Sequence, residues 1–184
     1  MTKHEIILMS ISGEDKPGVT SSLTEILSKH NATILDIGQA NIHQSLSLGI
    51  LFRLDPSMQG NILKDLLFTS YELGVNAKFT PIKREEYDNW VSRQGKESFV
   101  ITLLGQKIEA NQLSQVTKVI AEQGLNIDTI KRLTGRIPLD SDNDSENRSC
   151  IELSVRGTPK NLTLIHEKFV NLSGELDLDI SFQK

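Results

Sequence analysis

The sequence repeats itself at the scale of whole domains, and this constrains its fold more than any single motif does. With the two halves compared at a shift of 93 residues, Ile26-Leu27 falls on Val119-Ile120, Asn31 on Gly124, Ile34 on Ile127 and Ile37 on Ile130. At a shift of 103, Leu48-Gly49-Ile50-Leu51-Phe52-Arg53 falls on Ile151-Glu152-Leu153-Ser154-Val155-Arg156, and Pro56 falls on Pro159. The difference between the shifts is one insertion, the polar run Leu139–Arg148.

Each half shows the same order of elements. A strand at about Glu5–Ile11 contains the apolar run Ile6-Ile7-Leu8-Met9. Val19, Leu23, Ile26 and Leu27 then recur at helical spacing and predict a helix over about 18–29, broken at His30-Asn31. Residues 32–43 are rich in apolar and β-branched types and read as a strand. Leu46, Leu48, Ile50, Phe52 and Leu54 alternate with Ser45, Ser47, Gly49, Leu51 and Arg53. Period two means a strand with one face on a core, and only Gln44 and its neighbours remain for a hairpin turn. Asp55-Pro56 ends that strand. A helix over about 59–73 follows, with Ile62, Leu63, Leu66 and Leu67 on one face and Gly74 as its stop. Val75, Ala77 and Phe79 alternate as a fourth strand, closed by Pro81.

In the second half, Phe99–Leu104 is a strand, and Leu113, Val116, Val119 and Ile120 mark a helix face. The last helix is predicted over about 160–172, ending near Ser173-Gly174. Leu176, Leu178, Ile180 and Phe182 then alternate as the final strand. The order βαββαβ, read twice, predicts an α+β chain of two ferredoxin-like domains. Each is expected to be a four-stranded antiparallel sheet with two helices on one face. The expected boundaries are 1–82 and 97–184. The charged segment 83–96 is read as a linker, with at most a helical turn, and holds the only tryptophan. Trp90 is expected to pack on one of the domains rather than to stack on a ligand.

The strand-to-helix loop Ser12-Gly13-Glu14-Asp15-Lys16-Pro17-Gly18 carries the clearest local chemistry. Gly13 is expected at positive φ, Asp15 as the helix cap, and Pro17 at the first helical position. Gly18 leaves room for a group to approach the backbone. The helix N-terminus offers unpaired N–H groups and partial positive charge, which suits a carboxylate. A well-made loop with no ligand satisfies the same residues.

Other motifs in the sequence are incomplete. Asp140, Asp142 and Asp144 occupy the first ligand positions of a calcium loop, but Ser145 stands where its glycine belongs and Ile151 where its glutamate belongs. A solvated hairpin loop is the better reading. Asp177-Leu178-Asp179 resembles a phosphatase nucleophile motif, but too few residues follow to complete such a site, so both aspartates are read as the solvent face of a strand. His4, His30, His43 and His166 have no partner at metal-ligand spacing. Cys150 is the only cysteine, which excludes an intrachain disulfide and fits a reducing compartment. A net charge of −4 argues against a nucleic-acid or membrane partner. No leader or long apolar run is read at the start, so a cytoplasmic protein is expected.

Asp15-Lys16-Pro17-Gly18-Val19, placed after a strand and opening a helix, resembles the signature loop of ACT domains. These are ferredoxin-like modules that bind small ligands and often regulate amino-acid metabolism. Leu35-Asp36-Ile37-Gly38-Gln39 and Leu46–Leu51 are similar to the first ACT domain of bacterial phosphoserine phosphatases, and 124–133 and 151–157 to the second. The resemblance implies a tandem ACT N-terminal regulatory region in a pathway making L-serine. The haloacid-dehalogenase catalytic domain, with its Mg²⁺, would then lie outside this chain. No cofactor is expected within the chain and no catalysis by it alone. The alternative is a free-standing tandem-ACT regulator of the glycine-cleavage repressor type, acting through protein partners. In serine-binding ACT domains the ligand lies between the first loop of one domain and the start of strand two of a paired domain. Carried over, this places Asp15 and Gly18 in one half-site, with Thr33 where the family often has Asn. In the second repeat Asn126 keeps the Asn, and Gly105 is the only loop contact implied. The resemblance further implies L-serine or a similar amino acid as ligand, and a homodimer formed through the ACT domains.

Overall fold

In the computed structural model, residues 4–94, 97–135 and 148–184 are described. The calcium-like run Asp140–Ser145 lies outside them. The chain divides into two compact units, residues 1–92 and 93–184. In the first, β1 (Glu5–Glu14), α1 (Val19–Lys29), β2 (Thr33–Ile42), β3 (Ser45–Leu54), α2 (Gln59–Glu72) and β4 (Asn76–Ile82) follow in order, then α3 (Arg84–Ser92). In the second they are β5 (Ser98–Gly105), α4 (Ala110–Glu122), β6 (Asn126–Arg132), β7 (Ser149–Arg156), α5 (Leu162–Leu176) and β8 (Asp179–Gln183). The sheets have strand orders β2-β3-β1-β4 and β6-β7-β5-β8, with every recorded pairing antiparallel. Both units are therefore the ferredoxin-like α+β fold that the repeat predicts.

Alternation decides which face is buried. Ile7, Met9 and Ile11 of β1 and all five alternating residues of β3 are at most 2% exposed, and they meet Val19, Leu23, Leu27, Ile62 and Leu66 from the helices. The second core uses the same positions: Ile101 and Leu103 of β5 and Leu153 and Val155 of β7, under Val116, Ile120, Ile165 and Phe169. His30 ties α1 to α2, its Nε2 lying 2.8 Å from an Asp65 carboxylate oxygen.

The α1, α2, α4 and α5 helices end in the same way. Asn31, Gly74, Gly124 and Asp177 have φ of 52°, 71°, 76° and 52°. The next residue's N–H bonds back across the last turn: Ala32 to Leu27, Val75 to Ser70, Leu125 to Ile120 and Leu178 to Ser173. This is the Schellman arrangement, and the apolar residue after the left-handed one turns into the core. It corrects two expectations at the end of the chain. Helix α5 runs through Gly174 to Leu176, so Leu176 is helical rather than in the final strand. Asp177 is the left-handed cap, and only Asp179 is in a strand. Asn161 caps the start of α5 by accepting from the Leu164 N–H at 3.1 Å. Asn161→Ala should cost about 1 kcal/mol, read as a lower urea midpoint for the second unit with an unchanged slope.

Residues 84–92 form a full helix, which clusters with the first unit. Its Tyr87 and Trp90, spaced i and i+3, share a cleft with Leu8, Leu51 and Ile82. These three lie on the sheet face opposite α1 and α2, because Leu8 pairs with Leu51, and Ile82 pairs with Ile6, one strand position in two away from the buried set. An apolar open face gives the helix its reason to form there.

Candidate functional site

The β1–α1 loop is fixed to the β2–β3 hairpin. The Asp15 N–H donates to the Gln44 carbonyl at 2.8 Å. The Asp15 carboxylate accepts from the Asn41 side-chain amide at 2.6 Å rather than capping α1. The helix instead starts after Gly18, which takes the N-cap position at φ 96° with no side-chain cap, and Pro17 stands before the cap. So the positive φ expected at Gly13 belongs to Gly18. A side chain there would meet open space, the nearest atom being Ser21 Oγ at 4.0 Å, so glycine is required by conformation rather than by crowding. Thr20 donates to the Gln39 side chain at 2.8 Å. Gln39 and Asn41 pair with Leu48 and Leu46 and so lie on the helix side of the sheet. The result is a polar notch: Asp15 as an acceptor, Gln39 and Asn41 along β2, and an uncapped helix N-terminus beside them. It can accept an ammonium and donate to a carboxylate.

The second unit is built differently at this place. Its helix α4 starts at Glu109, which forms a capping box with Gln112. The Gln112 side chain accepts from the Glu109 N–H at 2.7 Å and donates to the Leu176 carbonyl at 2.7 Å. The α4 N-terminus thus has its own carboxylate where α1 has none.

Gly13 and Gly105 share a structural task. A Cβ on Gly13 would lie 2.9 Å from a Val75 methyl, and one on Gly105 would lie 2.5 Å from a Leu178 methyl. Val75 and Leu178 are the apolar residues that follow the helix caps described above. Each glycine makes room for one of them. Next to Gly105 lies a cleft of ≈ 510 Å³ whose polar lining includes Gln106, Arg148, Ser173, Asp177 and Asp179.

The expected site residues do not meet within a unit. Thr33 pairs with Arg53, whereas Glu14, next to Asp15, pairs with Ser45 at the other end of β3. That length of strand spans roughly 26 Å. Asn126 pairs with Arg156 and Gly105 with Ser149, again at opposite ends. Asn126 is exposed at the start of β6, 3.4 Å from the Asp128 carboxylate, which in turn pairs with Arg156 Nε at 2.9 Å. Sequence reasoning missed Gln39 and Asn41. Their two-residue spacing on one face of β2 was the available signal.

A family model described as an ACT domain matches residues 5–80, and a second model with the same description matches 97–183. Among curated proteins the chain is similar to phosphoserine phosphatase SerB2 of Mycobacterium tuberculosis, 32% identical over 130 residues, covering 70% of this chain and 31% of that protein. It is also similar to a phosphoserine phosphatase of Streptomyces coelicolor, 27% identical over 128 residues, covering 69% and 30%. The chain thus spans about a third of the length of these relatives. Among solved structures, an unknown protein from Galdieria sulphuraria aligns with a TM-score of 0.76 and 16% identity over 98% of each chain. A proposed glycine cleavage system transcriptional repressor aligns with a TM-score of 0.68 and 16% identity, covering 98% of this chain and 96% of that one. At these identities the two structures speak for the fold alone.

Proposed function

Because the chain belongs to the ACT-domain family, with two copies in tandem, we propose that it is the amino-acid-binding regulatory region of a phosphoserine phosphatase. The ligand on this reading is L-serine or a similar small amino acid, and binding biases the arrangement of paired domains. A ligand shifts such an equilibrium only through its different affinity for the two arrangements. The observation that carries the reading is the contrast between the two helix starts. The α1 N-terminus follows Gly18 with no side-chain cap, beside the Asp15 carboxylate. The α4 N-terminus is closed by its own capping box. The first unit therefore supplies the carboxylate and ammonium contacts. Strand-start residues, Asn126 or Thr33, would come from a paired domain, within the chain or in a second copy. A homodimer follows from the second version. The free-standing tandem-ACT regulator, acting through protein partners, is the competing reading.

Calorimetric titration with L-serine tests the ligand. Saturable heat is expected at millimolar serine or below. Asn126→Ala and Asn41→Ala should each weaken binding by about tenfold, the usual loss for a hydrogen bond to a charged group. Gly18→Val is a poor probe, because a β-branched residue at φ 96° is strained by about 1–3 kcal/mol. Absence of heat at millimolar serine, or binding unchanged in both asparagine variants, would reject the site.

A further inference from the structure

The cleft between α3 and the sheet of the first unit has a volume of ≈ 360 Å³, within the range of small-ligand sites. Leu8, Leu51 and Ile82 form its aliphatic floor. Tyr87 and Trp90 line it from α3, their ring centroids 5.8 Å apart and their planes tilted by 41°. Two acidic residues also line it, Asp36 beside the bulge of β2 and Glu86 from α3, and among the described lining residues none is basic. Asp36 accepts from the Ile37 N–H at 2.9 Å and Glu86 from the Lys83 N–H at 3.3 Å. Arg53 and Arg84 line an adjoining cleft of ≈ 130 Å³ that shares Tyr87, and Arg84 Nε lies 3.6 Å from Asp88.

From this combination we infer that the cleft binds a small organic cation with apolar substituents, of the quaternary-ammonium class. The physical reason is selection by two criteria at once. The faces of Trp90 and Tyr87 attract a cation whose charge is spread over methyl groups, and the aliphatic floor takes those methyls. Asp36 and Glu86 supply the counter-charge. A hydrated metal ion gains nothing from the rings, and a neutral apolar molecule gains nothing from the carboxylates. Trp90 packs on the first unit as expected, and at 39% exposure it also lines a cavity. The inference is independent of serine binding, because the cleft lies on the face opposite α1.

Trp90 is the only tryptophan of the chain, so its fluorescence reports on this cleft directly. The full chain is titrated with choline and, in parallel, with its uncharged carbon isostere dimethylbutanol. Choline should change the emission saturably at millimolar levels, the isostere should not, and Glu86→Gln should weaken choline binding roughly fivefold. Glu86→Gln keeps an acceptor for the Lys83 N–H, so α3 should stay folded, as checked by circular dichroism. Equal responses to choline and the isostere would overturn the cation assignment. No response to either at tens of millimolar would overturn the site.

Discussion

Phe99→Ala is expected to remove about 3–5 kcal/mol from the second unit and nothing from the first. Phe99 is 2% exposed at the start of β5, one of the two inner strands of its sheet. It stacks on Phe182 at 5.0 Å, with planes 19° apart, and Phe169 lies 5.9 Å from the same ring. Truncation leaves a void that two other aromatics border and cannot fill without leaving their own contacts, so relaxation is limited. Domains of this size have a total stability of about 5–15 kcal/mol, so the loss takes a large share. The two units can be read separately, because Trp90 belongs to the first. In urea, the midpoint from Trp90 fluorescence should stay in place while circular dichroism gains an early transition. A common shift of both signals would mean that the units do not have separate cores.

Gly105→Ala is expected to destabilise the second unit by about 1–3 kcal/mol, the usual cost of overpacking. The new Cβ would lie 2.5 Å from Leu178, which is 3% exposed and cannot swing into solvent without leaving the core. The effect is local and has a partner that can be removed. Leu178→Ala alone opens a cavity. In the double variant the added methyl no longer clashes, so the two losses should not add. Strict additivity would show that Gly105 is constrained by something other than Leu178. Serine binding should be unaffected by Gly105→Ala at a temperature where the variant is folded. On this account, the glycine serves packing, and the open helix end is in the other unit.

Much of the fold was legible because burial and period coincide. Leu46, Leu48, Ile50, Phe52 and Leu54 alternate strictly, and each is buried in β3. The internal repeat then carried the topology from one half to the other. The end of α5 was not legible, because Gly174 is a stop signal only when the chain turns there. Here Leu172 still packs on the core, and the turn comes at Asp177, where the next apolar residue can enter it. Helix α3 was obscured by composition. Its charged residues outweigh the Tyr87 and Trp90 pair, and Leu8 and Leu51 of the apolar face that receives the pair come from β1 and β3, distant in sequence.

At the site, the residue types of the first loop were legible and their roles were not. Asp15 looked like a cap, but Asn41, brought close by the β2–β3 hairpin, holds its carboxylate. Gly18 looked like a clearance, and its backbone angle is the stronger constraint. The first difference arises from pairing between segments, which local spacing does not encode.

The most direct test of the central claim is a residue-resolved titration of the isotope-labelled chain with L-serine, followed by backbone amide NMR. Saturable shifts are expected at Asp15 to Ser22, with Gln39 and Asn41, and in a second group around Asn126 or Thr33. The α4 N-terminus at Glu109 to Gln112 should stay still. No shifts at millimolar serine, or shifts centred on Glu109 to Gln112 with Asp15 to Ser22 unmoved, would contradict it.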